Sequence, residues 1–89
     1  MTARYTVVFS ELAREKFDQF IHSGRKTGKQ IAKAIDRLAL NPELGEFLKG
    51  EWKDYRKYRI GDYRIIYRVE HFRLVVYIVT IGDRKDVYR

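Results

Sequence analysis

Three strand-like segments joined by very short connections occupy the second half of the chain, and this arrangement constrains the fold most. The segments are Tyr55 to Ile60, Tyr63 to Val69 and Arg73 to Ile81. Gly61-Asp62 separates the first two and favours a tight β-hairpin turn. A second reversal near Glu70-His71 leads into the third segment, whose apolar run Leu74 to Val79 predicts a central strand buried on both faces. Short connections join antiparallel strands, so the sequence predicts a three-stranded antiparallel meander.

A strand and a helix are predicted at the start of the chain. Arg4 to Phe9 is rich in β-branched and aromatic residues, which favours a strand. Ser10 is a suitable N-cap for a helix that begins at Glu11, where an acidic side chain suits the positive end of the helix. Apolar residues then recur at roughly helical spacing until Ser23-Gly24, where the pattern predicts the end of this helix.

A second helix is predicted before Asn41-Pro42. Thr27 followed three residues later by Gln30 matches a capping box, and a proline disfavours helix at the residue before it. The two helices are expected to form an antiparallel pair. The sequence therefore predicts one α+β domain over residues 1–89: an N-terminal strand, two antiparallel helices and the meander, with the helices packed on one face of a small four-stranded sheet. The other sheet face is left for function.

The composition favours a folded chain with an acidic partner. Of the 89 residues, 45% are hydrophobic, and the formal net charge is +7. This charge favours a nucleic acid, a lipid surface or an acidic protein. With no cysteine and only two isolated histidines, His22 and His71, we expect no metal site and no cofactor. No signal-like or membrane-spanning apolar segment is present, so we expect a cytoplasmic protein without a membrane partner.

Cations and tyrosines are concentrated together between Lys49 and Arg89. This region contains eleven Lys or Arg against six Asp or Glu, and six of the seven tyrosines. Guanidinium groups bind phosphates, and aromatic rings stack on unpaired bases. The combination favours RNA as the acidic partner.

Alternation along the hairpin predicts which of these cations share a face. Lys57 and Arg59 point the same way from their strand, and Arg64 and Arg68 share a face of the next strand. The alternating residues on the opposite face are predicted core: Tyr63, Ile65, Tyr67 and Val69. Lys57, Arg59 and Arg64 are therefore expected to converge on the open sheet face. Like charges facing each other destabilise a sheet unless an anion binds there.

The segment before the hairpin is expected to have a structural role. Trp52 and Phe47 are predicted to fill the edge of the core. The acidic residues of this segment are expected to be solubilising loop charges: Glu43, Glu46 and Glu51.

RNA cleavage requires little from a protein, because RNA carries its own nucleophile in the 2′-hydroxyl. The enzyme must remove one proton, stabilise the extra negative charge on the phosphorane and protonate the leaving 5′-oxygen. Arginine matches phosphoryl oxygens and stays charged, so Arg59, Arg64 and Arg84 suit the second task. Further RNA contacts are expected from the remaining cations of the region: Lys53, Arg56, Arg68 and Lys85.

Two blocks of the sequence resemble the RelE/ParE superfamily of toxins from toxin–antitoxin systems. They are KYRIGDYRIIY at 57–67 and GDRKDVYR at 82–89. The resemblance covers nearly the whole chain, including the order of predicted elements. The hairpin block is shared across the superfamily. The ending resembles the RelE branch, whose members cleave mRNA in the ribosomal A site, whereas ParE-like members poison DNA gyrase and generally lack such a tail.

The resemblance implies a role for each matching residue. Arg64 matches the hairpin arginine that contacts the scissile phosphate, and Lys57 matches a catalytic lysine. In the tail, Arg84 matches an arginine linked to transition-state charge and the leaving group. Tyr88 matches a tyrosine beside the substrate base.

One departure leaves the general base open. The best-known member has a second lysine where this chain has Tyr55, so the base is Lys57 alone or involves Lys53 or Tyr88. The resemblance implies a metal-independent endoribonuclease of RelE type that acts on mRNA at the ribosome. A cognate antitoxin is expected to bind and neutralise it in a toxin–antitoxin hetero-oligomer. Two alternatives stay open: a ParE-like DNA gyrase inhibitor without nuclease activity, and a non-catalytic RNA-binding module.

Overall fold

The computed structural model describes residues 4–83 and has the predicted α+β architecture. The regular elements follow in the order β1 (Thr6–Phe9), α1 (Glu11–His22), α2 (Lys26–Leu40), β2 (Glu46–Phe47), β3 (Tyr55–Ile60), β4 (Tyr63–Glu70) and β5 (Val75–Asp83). Short 3-10 turns at Pro42–Leu44 and Gly50–Trp52 flank β2. The N-terminal strand, the helical pair and the meander are confirmed.

The strands form one mixed sheet in the order β1-β5-β4-β3-β2. β1 runs parallel to β5, and the other neighbours are antiparallel. Within the described residues the sheet has five strands rather than the predicted four, because β2 pairs Glu46 with Lys57 and Phe47 with Arg56. A two-residue strand is too short to show alternation, so no sequence pattern indicated it.

The start of α1 agrees with the sequence prediction. Ser10 is the N-cap, and its Oγ accepts a hydrogen bond from the Ala13 backbone N–H at 3.0 Å. The same hydroxyl donates to the Val79 carbonyl oxygen of β5 at 2.6 Å. The helix ends at His22, before Gly24 with a φ of +68°. Ser10 therefore caps the helix and also ties its first turn to the sheet.

The start of α2 differs from the prediction. The helix begins at Lys26, its N-cap is Arg25, and the cap makes no side-chain hydrogen bond, so the Thr27–Gln30 capping box is wrong. Close packing of the helices accounts for the difference. A Cβ on Gly28 would lie 2.5 Å from the Phe20 carbonyl oxygen, so this turn must present a glycine to α1. The contact between α1 and α2, rather than the local capping signal, determines where the first turn of α2 lies.

The core lies between the helices and one face of the sheet. Its fully buried large side chains are Ile31 and Leu38 from α2 together with Ile65, Tyr67, Val76, Ile78 and Ile81 from the sheet. On β5 the register against β4 skips Val79, so Ile78 and Ile81 both face the core although they are three residues apart. Val75 and Tyr77 are only partly buried. The predicted burial of this strand on both faces is therefore wrong.

Candidate functional site

The sheet face opposite the helices, here called the open face, carries alternate residues of the β3–β4 hairpin. Arg59 is the cross-strand partner of Arg64, and Lys57 is the partner of Ile66. Directly opposed residues of an antiparallel pair project to the same side of the sheet. Gly61, with a φ of +57°, makes the tight turn that sets this register. The structure thus brings Lys57, Arg59 and Arg64 together.

These three cations line a depression of about 320 Å³, here called the cationic cleft. Its lining residues are Leu44, Glu46, Lys57, Tyr58, Arg59 and Arg64. Lys57 and Arg64 are partly buried and Arg59 is exposed. Arg59 and Arg64 face each other across adjacent strands, which places two guanidinium groups on one side of the sheet where both can bind the same anion. The cleft is therefore suited to a phosphate group.

Glu46 is a cleft residue that sequence reasoning missed. It was expected to be a solubilising loop charge, but β2 places it directly across from Lys57. Among the described residues that line the cleft, Glu46 is the one carboxylate. A carboxylate accepts protons and hydrogen bonds, so the cleft combines three cations with an acceptor group.

A buried tyrosine holds the loop that carries Glu46. The Tyr67 hydroxyl accepts a hydrogen bond from the Gly45 N–H at 2.8 Å and donates one to the Pro42 carbonyl oxygen at 2.7 Å. Burial raises the pKa of Tyr67 above its ordinary value. A Cβ on Gly45 would lie 2.5 Å from the Tyr67 hydroxyl oxygen and 2.7 Å from the Lys57 carbonyl oxygen. The two hydrogen bonds of Tyr67, on the core side of the hairpin, thus hold Gly45 and position the next residue, Glu46.

The other described cations with an expected RNA contact lie outside the cationic cleft. Lys53 is exposed in the loop before β3. Arg56 is on the opposite face from Lys57, where its guanidinium lies 3.8 Å from the Phe47 ring centroid and donates to the Gly45 carbonyl oxygen at 2.8 Å. Arg68 is on the open face, about 13 Å along β4 from Arg64 at the usual rise per residue.

The expected tail residues Arg84, Lys85 and Tyr88 lie outside the described residues. The strand that leads to them ends at Asp83. Gly82, two residues before Arg84, is the cross-strand partner of Arg64.

Two aromatic residues beside the cleft are more exposed than expected. Phe47 is 58% exposed and Trp52 is 44% exposed, so the prediction that they fill the edge of the core is wrong. The Trp52 ring instead packs edge-on against Tyr55 at a centroid distance of 5.3 Å.

Residues 4–83 contain no group of three or more side chains arranged to hold a metal ion. None of the helices in this part of the chain is long and apolar enough to cross a bilayer.

Comparison with known families identifies the class of protein to which this fold and cleft belong. The model of the family described as the ParE toxin of type II toxin–antitoxin systems, parDE, matches residues 7–88. The chain belongs to this toxin family. No match was found among functionally curated proteins.

Solved structures of toxins from such systems share the fold. The toxin–antitoxin complex RelBE2 from Mycobacterium tuberculosis contains a chain 27% identical to this one, with a TM-score of 0.74, over 91% of this chain and 99% of that one. The YoeB dimer from Staphylococcus aureus is 26% identical, with a TM-score of 0.74, over 90% and 97%. The isolated RelE toxin from Escherichia coli is also 26% identical, with a TM-score of 0.74, over 94% and 90%.

Proposed function

We propose that this toxin is an endoribonuclease that cleaves mRNA at the ribosome. The observation that carries the proposal is the cationic cleft, in which Arg59 and Arg64 oppose each other beside Lys57 and Glu46. A phosphodiester seated between the two arginines meets fixed positive charge where the phosphorane gains negative charge. The resemblance of Arg64 to the superfamily's hairpin arginine supports the same role.

The reaction uses the 2′-hydroxyl of the substrate as the nucleophile. A base removes its proton, the 2′-oxygen bonds to phosphorus, and the bond from phosphorus to the 5′-oxygen breaks. The leaving 5′-oxygen takes a proton from solvent water, which gives a 2′,3′-cyclic phosphate and a 5′-hydroxyl end. In this scheme Arg59 and Arg64 stabilise the extra negative charge of the phosphorane. Arg84 stabilises the charge that develops on the leaving 5′-oxygen.

Glu46 is the base that the cleft geometry favours over Lys57. An ionised carboxylate accepts a proton directly, whereas a lysine ammonium must first lose one. The position of Lys57 across from Glu46 then serves to orient the carboxylate and to attract the phosphate. Tyr88 keeps its proposed place beside the substrate base, and Lys53, Arg56, Arg68 and Lys85 remain proposed contacts to RNA.

A cognate antitoxin is the proposed protein partner, and the cytoplasm is the proposed location. The solved complexes RelBE2 from Mycobacterium tuberculosis and RelBE from Escherichia coli are toxin–antitoxin complexes that contain a chain of this fold. A free nuclease acting on translated mRNA would stop growth, so an inhibitor that covers the open face or displaces part of it is required.

Inhibition of DNA gyrase is the second candidate function. It is favoured by the match of the chain to the ParE family model over residues 7–88. In this alternative the open face binds protein, and neither Glu46 nor the paired arginines take part in a reaction.

One paired experiment distinguishes the two functions. The full chain is added to a purified translation system and the mRNA ends are mapped; supercoiling by gyrase is measured in parallel. We expect new mRNA ends that depend on the ribosome, with supercoiling by gyrase unaffected. Arg14→Ala, on the exposed face of α1, has the same net charge as Arg64→Ala and serves as the control for that variant. Inhibited supercoiling without new mRNA ends would refute the nuclease and establish the second candidate.

A further inference from the structure

Aromatic side chains and an arginine form a row across the open face, next to the cationic cleft. The row, here called the stacking row, consists of Trp52, Tyr55, Arg68 and Tyr77. Tyr55 is the cross-strand partner of Arg68, and Arg68 is the partner of Tyr77. Trp52 extends the row by its edge-on contact with Tyr55 at 5.3 Å. Neighbouring strands lie about 4.8 Å apart, so the row spans three adjacent strands with its side chains on one side of the sheet.

The arginine of this row is held in place and remains accessible. Its guanidinium donates to a Glu70 carboxylate oxygen at 3.0 Å, and the side chain is still 41% exposed. The other oxygen of Glu70 lies 3.8 Å from Arg73. A guanidinium held in this way offers a flat cationic surface on the strand that lies between those of Tyr55 and Tyr77. Such a surface suits a nucleobase, which stacks on aromatic rings and on arginine planes.

The stacking row is continuous with the cationic cleft. Trp52 borders a second depression, of about 450 Å³, which it shares with Lys49 and with the cleft residues Glu46 and Lys57. A nucleotide whose phosphate lies in the cleft therefore has an exposed indole within the adjoining depression.

The charge around the row favours RNA over an apolar protein segment. The row and the two depressions contain five cations, Lys49, Lys57, Arg59, Arg64 and Arg68, against the carboxylates Glu46 and Glu70. Cations interleaved with exposed rings are the usual means of binding single-stranded nucleic acid.

We infer that the stacking row binds unpaired bases of the RNA strand whose phosphate occupies the cationic cleft. This inference rests on the proposed nuclease function and adds a base-binding subsite to it. The row contributes affinity and strand positioning, and it takes no part in proton transfer. Because every base has a π-face, the row is expected to bind with little sequence preference.

Trp52 makes the inference directly measurable, because it is the only tryptophan in the chain. The probe is a 2′-O-methyl RNA hexanucleotide, which lacks the free 2′-hydroxyl and is not cleaved. We expect saturable quenching of Trp52 fluorescence by this probe. An abasic oligonucleotide of the same length is expected to bind more weakly and to leave the emission unchanged.

Variants separate the row from the rest of the surface. Tyr55→Leu and Tyr77→Leu should each weaken hexanucleotide binding by about 5- to 150-fold, the usual range for losing one stacked base. Phe72→Leu is the matched control, because Phe72 is a fully exposed aromatic outside the row, and it should bind like the wild type. Circular dichroism and thermal melting establish that each variant is folded.

Each remaining outcome has one interpretation. Any one of three results overturns the inference that the stacking row binds bases. These results are equal binding of the abasic and base-containing probes, no binding by the wild type at millimolar probe, and wild-type binding by both leucine variants. If mRNA is nevertheless cleaved, the nuclease proposal stands without the row. If the probe is stacked but mRNA is not cleaved, the row stands and the nuclease proposal fails. Loss of antitoxin binding in Tyr55→Leu with unchanged probe binding assigns the row to a protein partner and also overturns the inference.

Discussion

The two faces of the β3–β4 hairpin have opposite properties although they are built from alternate residues of the same strands. On the helix side, Ile65 and Tyr67 are fully buried, and the Tyr67 hydroxyl makes two hydrogen bonds. On the open side, Arg59 and Arg64 oppose each other in a cleft that is open to solvent. One face thus stabilises the fold, whereas the other concentrates positive charge in a cleft that is open to solvent. Substitutions on the two faces are expected to affect different measurable quantities.

The largest effect is expected for Glu46, the proposed proton acceptor of the open face. Glu46→Gln keeps the shape of the side chain but does not accept a proton, so mRNA cleavage should fall by about 10²- to 10⁴-fold. Lys57→Arg keeps the charge and should have a much smaller effect on the rate. The measurement is the single-turnover cleavage rate on programmed ribosomes. The reverse ranking of the two variants would assign the base to Lys57.

Arg64, the arginine proposed to bind the phosphate, should have the next largest effect. Arg64→Ala removes one side of the arginine pair and is expected to cost about 3–4 kcal/mol of transition-state stabilisation, comparable to losing an oxyanion-hole donor. The melting temperature of the variant is measured alongside, so that a loss of cleavage can be separated from a loss of folded protein. Cleavage at the wild-type rate by the folded variant, with Arg14→Ala as the control, would contradict the role of Arg64.

On the helix side, the effect should appear in stability first. Tyr67→Phe leaves the Gly45 N–H and the Pro42 carbonyl oxygen without their partner, which costs about 1–3 kcal/mol in the free energy of unfolding. Cleavage should also fall, because this loop positions Glu46. Denaturant unfolding and the cleavage rate, measured on the same preparation, test both parts. An unchanged unfolding free energy would show that the buried hydroxyl does not hold the loop.

The raised pKa of Tyr67 makes a related prediction about pH. Burial disfavours the phenolate in the folded state, so the unfolded chain loses this proton first, near the ordinary tyrosine pKa of 10.0. The stabilisation by Tyr67 should be complete below that pH and should decline as the pH rises further. The wild type should therefore lose more stability than Tyr67→Phe between about pH 9 and 11. Parallel curves for the two proteins would contradict this.

The smallest effect is expected at the start of α1, far from the arginines. Ser10→Ala removes the hydrogen bond that caps the Ala13 N–H and the hydrogen bond to the Val79 carbonyl oxygen. The loss in the free energy of unfolding should be about 1 kcal/mol and at most about 2 kcal/mol, the usual range for a helix N-cap. Cleavage per folded molecule should be unchanged. A loss of activity larger than the loss of folded protein would show that the two regions are coupled.

Local patterns in the sequence were sufficient for most of the fold. Alternation identified the residues of the two hairpin faces, Gly61-Asp62 identified the turn, and Ser10 identified the start of α1. Each of these signals lies within a few residues of the structure it specifies, because turns, caps and strand periodicity depend on local backbone preferences. The convergence of Lys57, Arg59 and Arg64 follows from the same periodicity once the turn is placed.

The features that sequence reasoning missed depend on contacts between distant parts of the chain. Glu46 enters the cleft because Gly45 is held by the hydroxyl of Tyr67, which is 22 residues away. The start of α2 depends on the space that Gly28 leaves for the backbone of α1. No local propensity encodes such contacts, since their energies arise only when the chain has packed. The sequence thus determined which residues share the open face, and packing determined that a carboxylate and an indole lie beside them.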